Sequence, residues 1–377
     1  MARRFNNNSF YRKGLAAIVL VAAVGSSSLA AQLPDVTDQK SVLSAQASHA
    51  TLLAISRAGE RLVAVGERGI VVLSDDSGRT WRQVQVPVSV TLTAVQFVDA
   101  HQGWAVGHSG VILHSLDGGE SWTLQLDGRR AAQLELRDAQ LSAQEAVAEE
   151  DVQRRLIAAQ RLVDDGPDKP FLALSFRDTT HGLVVGAYGL AMETDDGGVT
   201  WHSWMGRIPN SKGLHLYAIA QADNEYYLSG EQGLLVRSLD GGKHFEKLDS
   251  PYEGTYFSVA LEPGGSVLVG GLRGKVFRSR DQGRSFEAMS NAAPVSLSSA
   301  TRIGQQVVWV NQAGGLLSSS SDSPGLQLLA APAGPALTAV VDAPDGSLVG
   351  VGFAGISRLS VPSVNASSSH SERAVTE

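Results

Sequence analysis

The chain has 377 residues, 43% hydrophobic and 18% charged, so a sizeable core is possible and wholesale disorder is excluded. The absence of cysteine excludes a disulfide framework, a thiolate metal site, a cysteine nucleophile and a lipidated cysteine. A net charge of −7 argues against nucleic acid as a partner.

At the N-terminus, Arg3, Arg4, Arg12 and Lys13 precede an apolar run over residues 14–24, and Ser28-Leu29-Ala30 follows as a cleavage sequence. The run is well short of the ~20 residues a membrane helix needs. Residues 1–30 therefore read as a signal peptide cleaved near Ala30. The expected location is the periplasm, with at most peripheral contact with a membrane; an uncleaved anchor is the alternative.

From there a phrase recurs: an apolar strand, Gly-x-x-Gly, a second apolar strand, then Ser-x-Asp-x-Gly-x-x-Trp. Five copies end at Trp81, Trp122, Trp201, Phe245 and Phe286. Two more are worn: one has Asn311 for the first Gly and Leu326 for the aromatic, and the last stops soon after Gly355. The opening landmarks are Gly66, Gly107, Gly186, Gly230, Gly271, Asn311 and Gly352. They recur about every 41 residues, the length of a four-stranded propeller blade. The reading is an all-β, seven-bladed propeller over residues 31–360.

One gap, between the second and third copies, is longer by about 38 residues. Residues 129–163 there lack Gly and Pro and are rich in helix formers, and Asp164-Asp165-Gly166-Pro167 ends the run. A helical insertion over residues 129–169 is expected. It reads as an antiparallel pair turning near residues 149–151, with a single helix across the ring as the alternative. Leu134, Leu141, Ala148, Val152 and Leu156 make a weak apolar stripe suited to a partner. The last unit lacks a fourth strand, and residues 35–43 are expected to supply it and lock the ring. The Ser-rich tail, 361–377, reads as disordered.

The Asp-containing phrase is the Asp-box. Asp76, Asp117, Asp196, Asp240 and Asp281 are read as structural, because a carboxylate that recurs in all five full units suits a hairpin better than one active site. The aromatics at 81, 122, 201, 245 and 286 are expected to fill the space between blades. The Gly-x-x-Gly turns lie on the opposite face. There Glu67, Arg68, His108, Ser109, Tyr188, Glu231, Gln232, Arg273, Gln312 and Phe353 vary from unit to unit, and variable turns on a rigid scaffold suit partner binding.

With its Gly-x-x-Gly turns and Asp-boxes, and phrases such as GWAVGHSGVILHSLDGGESW and FVDAHQGWAVG, the sequence resembles the photosystem II stability and assembly factor-like family of BNR-repeat propellers. The resemblance covers residues 50–360 apart from the insertion. It implies a non-catalytic scaffold with no cofactor, monomeric on its own, that binds and stabilises a membrane-protein complex, whether photosynthetic or another envelope complex. It also implies an arginine-rich binding face, for which Arg68, Arg237, Arg273, Arg278, Arg280 and Arg284 are the candidates.

The alternative is an exported sialidase-like glycosidase or a carbohydrate-binding propeller. Arg207-Ile208-Pro209, Tyr252-Glu253 and Tyr256 are its candidate residues, but the Arg-Ile-Pro triplet follows the third Asp-box instead of preceding the first. No His-x-x-x-His metal motif and no Gly-Lys-Ser/Thr phosphate loop is present.

Overall fold

Short apolar runs of alternating or continuous texture, cut by Gly and Asp, form seven antiparallel sheets arranged as a ring. A computed structural model describes residues 35–145, 150–330 and 335–359. The expected signal peptide and C-terminal tail lie outside the described residues. Six sheets have four strands and the seventh has three. Their inner strands are Leu52–Ala58, Leu92–Phe97, Phe171–Phe176, Leu216–Ala222, Tyr256–Leu261, Leu297–Ile303 and Leu337–Asp342. Each inner strand contacts the next, and the seventh contacts the first, so the ring closes.

One apolar cluster fills each of the seven seams between blades. The seam between blades two and three is the most aromatic. Trp104 is fully buried and stacks on Phe176 with centroids 3.7 Å apart, and Trp201 meets Phe176 edge-on at 6.3 Å. Truncating such a side chain to alanine costs about 3–5 kcal/mol. The expected Asp-box aromatics do this work throughout. Trp122 and Trp201 are buried, while Trp81, Phe245 and Phe286 are half-buried against their own seam clusters.

The closing device differs from the expected one. Residues 35–43 add no strand to blade seven, whose described strands are Leu337–Asp342, Leu348–Gly352 and Gly355–Leu359. They instead form a strap along the chain that leaves blade one. Ser41 N–H donates to the Val86 carbonyl at 2.9 Å, and Ser89 N–H donates to the Val36 carbonyl at 2.8 Å. The composition explains this choice: Thr37 and Ser41 are the buried side chains, whereas Val36, Val42 and Leu43 are exposed, so the segment has no apolar face to offer a sheet. The neighbour of blade seven's last described strand is instead the turn Ala47–His49.

Closure itself is face-to-face packing. Leu52, Leu62 and Val72 of blade one bury against Val341, Val349 and Val351 of blade seven. The Thr338 hydroxyl donates to the Leu52 carbonyl at 2.9 Å, and Arg57 pairs with Asp342 at 2.9 Å.

The insertion is a pair of helices, α1 (Gly128–Glu145) and α2 (Glu150–Asp165), and the expected turn falls partly on residues outside those described. The pair is docked, not free. Ala131, Ala132 and Leu162 join Leu126, Phe171 and Trp201 in the seam of blades two and three. Glu135 is buried. It takes two hydrogen bonds from Arg155, at 2.9 and 2.8 Å, and one from the Ser203 hydroxyl on blade three's outer strand. The buried face therefore differs from the expected stripe: Leu134 is half-buried against the seam and Leu141 is exposed. Ala148 lies outside the described residues. Neither helix is long and apolar enough to cross a membrane.

Candidate interaction face

The Asp-box carboxylates are fully engaged at home. Asp76 accepts from the Thr80 hydroxyl at 2.6 Å, the Thr80 N–H at 2.8 Å, the Ser74 hydroxyl at 2.8 Å and the Arg79 N–H at 3.0 Å. The Thr80 bonds do most to hold its carboxyl down, at about 2. Asp281 is likewise held at about 2, chiefly by the Ser285 hydroxyl. Asp117 and Asp196 bind the residue four positions on in the same way, and Asp240 uses His244. These five carboxylates close hairpins.

On the opposite face the turns share one frame. The first Gly is extended, and its role is close approach: a Cβ at Gly66 would lie 2.1 Å from the Thr51 carbonyl oxygen, and one at Gly186 would lie 2.2 Å from that of Pro170. The next N–H donates to that same carbonyl, as in Glu67 to Thr51 at 3.0 Å and Ala187 to Pro170 at 3.0 Å. In five of the seven turns the residue after it is left-handed whatever its identity: φ is 52° at Arg68, 56° at Ser109, 56° at Tyr188, 50° at Gln232 and 58° at Arg273.

Arg68, Tyr188, Gln232 and Arg273, at the left-handed position, and His108 and Phe353, one residue earlier in their turns, are exposed to solvent. Tyr188 and Phe353 are 53% and 62% exposed, unusual values for aromatic side chains. The Arg68 and Arg273 guanidinium groups have no acceptor among the described residues.

Three of the expected binding residues are placed elsewhere. Glu231 turns its carboxylate back to accept the His215 N–H at 2.9 Å, as Glu67 does for Thr51 at 3.0 Å, so it caps an inner strand. Arg237 and Arg278 are buried at the Asp-box ends of their strands. Arg237 pairs with Glu246 at 2.7 Å and donates to the Gln282 carbonyl in blade five's box. Arg278 pairs with buried Glu262 at 2.8 Å and donates to the Ser320 and Ser323 carbonyls of blade six, each at 2.7 Å. Their shared repeat position brackets one blade to the next, which the sequence could not separate from a basic surface. The candidate arginine Arg280 is exposed and also binds across that seam, to the Ser321 carbonyl at 3.0 Å.

The residues of the glycosidase alternative do not assemble. Arg207 lies over the Trp204 ring at 5.1 Å, Ile208 is buried in a seam, and the fully buried Tyr256 bonds Ser250 at 3.0 Å. Among the described residues no group of three or more His, Asp or Glu side chains could hold a metal ion.

With a seven-bladed ring, repeated Asp-boxes and a variable turn face in place, the comparisons with known proteins decide the family. A family model described as "Photosynthesis system II assembly factor YCF48" matches residues 73–149 and 157–306. The chain belongs to this family. The matched spans reach into both helices of the insertion. A "Photosystem II assembly lipoprotein Ycf48" from Synechococcus sp. (strain CC9902) is 34% identical over 120 residues, 31% of this chain and 36% of that protein. A "Photosystem II assembly protein Ycf48" from Thermosynechococcus vestitus is 38% identical over 50 residues, 12% of this chain and 14% of the relative. The aligned stretches thus span at most about a third of these curated relatives. Among solved structures, "YCF48 bound to D1 peptide" has a TM-score of 0.59 at 17% identity, covering 84% of this chain and 94% of that one. "YCF48 from Cyanidioschyzon merolae" has a TM-score of 0.57 at 14% identity, covering 82% and 94%. At these identities the likeness shows the fold.

Proposed function

We propose that this chain is an exported, non-catalytic scaffold whose Gly-x-x-Gly face holds an exposed segment of a membrane-protein complex during assembly. The observation that carries the reading is the turn face itself. One backbone frame, repeated in five blades, presents Arg68, Ser109, Tyr188, Gln232 and Arg273, with the two arginines left without acceptors. Folding has no use for exposed Tyr188 and Phe353 or for unpaired Arg68 and Arg273, and a partner does. A relative with this fold whose printed title names a bound D1 peptide supports the same reading. The partner complex is a photosystem or another envelope complex, and the signal-like N-terminus supports a periplasmic location.

The test is affinity capture from crosslinked host membranes with the tagged full chain. The double variant Arg68→Glu/Arg273→Glu is expected to lose the membrane-protein partner while keeping the parent melting temperature. Leu116→Ser/Val199→Ser, which changes exposed apolar residues on the Asp-box face, is expected to keep it. The opposite pattern would move the interface to the Asp-box face.

A further inference from the structure

The Asp-box ends of neighbouring blades are tied together by a repeated device. In five seams a side chain of one blade donates to a box carbonyl of the next. Arg358 donates to Ser77 at 3.2 Å, Arg61 to Gly118 at 3.1 Å and Gln125 to Gly197 at 2.8 Å. Arg237 donates to Gln282, and Arg278 to Ser323 at 2.7 Å. Ser77, Gly118, Gly197 and Gln282 share one place, three residues after the box Ser or Thr, although their donors come from different strands. In blade four that place is Gly241, and among the described residues no side chain donates to its carbonyl.

Glu193 stands where blades four and five place a donor. It immediately precedes the box Thr194, as Arg237 precedes Ser238 and Arg278 precedes Ser279. Ala191, on the same side of the strand, lies in the seam of blades three and four, so Glu193 points into that seam as well. Among the described residues no hydrogen bond or ion pair reaches its half-buried carboxylate. Ser175 and Gln221, 3.0 Å apart, tie the inner strands of these two blades, so the gap is confined to the box end. Burial, and after it the Asp195 charge, push the Glu193 pKa up, while His202, Arg207 and His181 oppose the shift. Blade four contributes Tyr226, whose hydroxyl accepts from Gln221 at 2.9 Å and has Arg177 and Asp178, an ion pair at 3.3 Å, in its surroundings. Its box carries exposed Lys243 and the His244–Asp240 pair, 2.7 Å apart.

We infer that the box end of the seam between blades three and four is a pH-operated latch, held while Glu193 is protonated and released when it ionises. The latch is independent of the turn face. Protonated, the carboxyl is a donor in a seam whose box carbonyl has none. Ionised, it adds a second acceptor there, and water must enter the seam to hydrate the charge. A carboxyl whose pKa is raised in the fold contributes stability that is complete below its unfolded value, about 4.3, and is lost as pH rises through the folded value. Release therefore comes on the way from acid to neutral pH. The sign is opposite to that of His114 in the neighbouring seam, whose pKa burial pushes down. A local readout is needed to separate the two.

The test is hydrogen–deuterium exchange of the full chain at about pH 4.5 and pH 8, corrected for intrinsic exchange and read at the boxes of blades four and five. These boxes span residues 238–245 and 279–286. From the lower to the higher pH, blade four's box is expected to lose about fivefold or more protection relative to blade five's. Glu193→Gln, a donor at every pH, should abolish that loss and keep blade four's box as protected as it is in acid. His244 sits in the same box and is the rival cause. His244→Thr, which gives blade four the Thr that blade three has at Thr200, should leave the loss in place. An equal response of the two boxes in the parent chain, a loss that survives in Glu193→Gln, or one that disappears in His244→Thr would overturn the inference.

Discussion

Glu135 carries a charge that is 1% exposed, and the chain compensates it locally with Arg155 and Ser203. Removing one partner of a buried pair leaves the other charge stranded, at a cost of about 3–5 kcal/mol. Arg155→Met is therefore expected to lower the urea unfolding midpoint strongly, and adding Glu135→Gln should recover most of the loss. Equal effects of the single and double variants would mean that the charge matters little. His114 makes a second residue-scale case. Its ring stacks on Trp104 at 4.6 Å, its Nε2 is buried without a partner, and burial pushes its pKa down. A histidine depressed in the fold adds stability that is complete above its unfolded value, about 6.5, and is lost as pH falls toward the folded value. The melting temperature should fall between pH 7.5 and pH 5.5, and His114→Phe should shrink that fall. The Asp-box carboxylates at Asp76 and Asp281, held at about 2, stay ionised throughout this window. Neither Glu135 nor His114 stood out in the sequence. Glu135 sits in a polar helical run that reads as solvated, and its partners lie 20 and 68 residues away.

Among elements, the helical pair changed most between reading and structure. Its composition predicted two helices correctly, because helix propensity is local. What the helices pack against is not local, and a weak stripe pointed to Leu134 and Leu141 instead of Ala131, Ala132, Ala139, Ala159 and Leu162. Small alanines let the helices sit close to blade three's outer strand, and a hydrophobicity pattern undervalues them. Replacing residues 129–168 with a short Gly/Ser loop should uncover Leu126, Phe171 and Trp201 and lower the melting temperature by several degrees in calorimetry. An unchanged melt would show the pair to be decoration. The turn face and the Asp-boxes, by contrast, were legible, because each is fixed by a few adjacent residues repeated in register. Arg237 and Arg278 were misread as surface for the opposite reason: the carbonyls they bind belong to the next blade.

For the whole molecule, blade number and order followed from period, while the closure did not. The first and seventh blades meet through Leu52, Val349 and Val351, a contact between residues about 300 positions apart that no local pattern encodes. Removing the strap at residues 35–43 gives up six hydrogen bonds, one of them the exposed Arg129–Asp35 ion pair, and two small buried side chains. Deleting it should lower the melting temperature by a few degrees and leave the radius of gyration in X-ray scattering unchanged. An expanded, opened particle would show that the strap is needed for closure after all.

The pinned turns have a further consequence for how this ring can change over time. In six of the seven turns the backbone is anchored by a glycine approach and one N–H bond to the residue before the inner strand, and neither involves the outward side chain; blade six, with Asn311 for the glycine, keeps the N–H bond. Recognition and folding are thus written in different residues. A new specificity can be acquired by altering one position per blade, with no insertion, deletion or compensating change in the seams. Two rings of this kind can then diverge in what they hold while their frames remain superimposable.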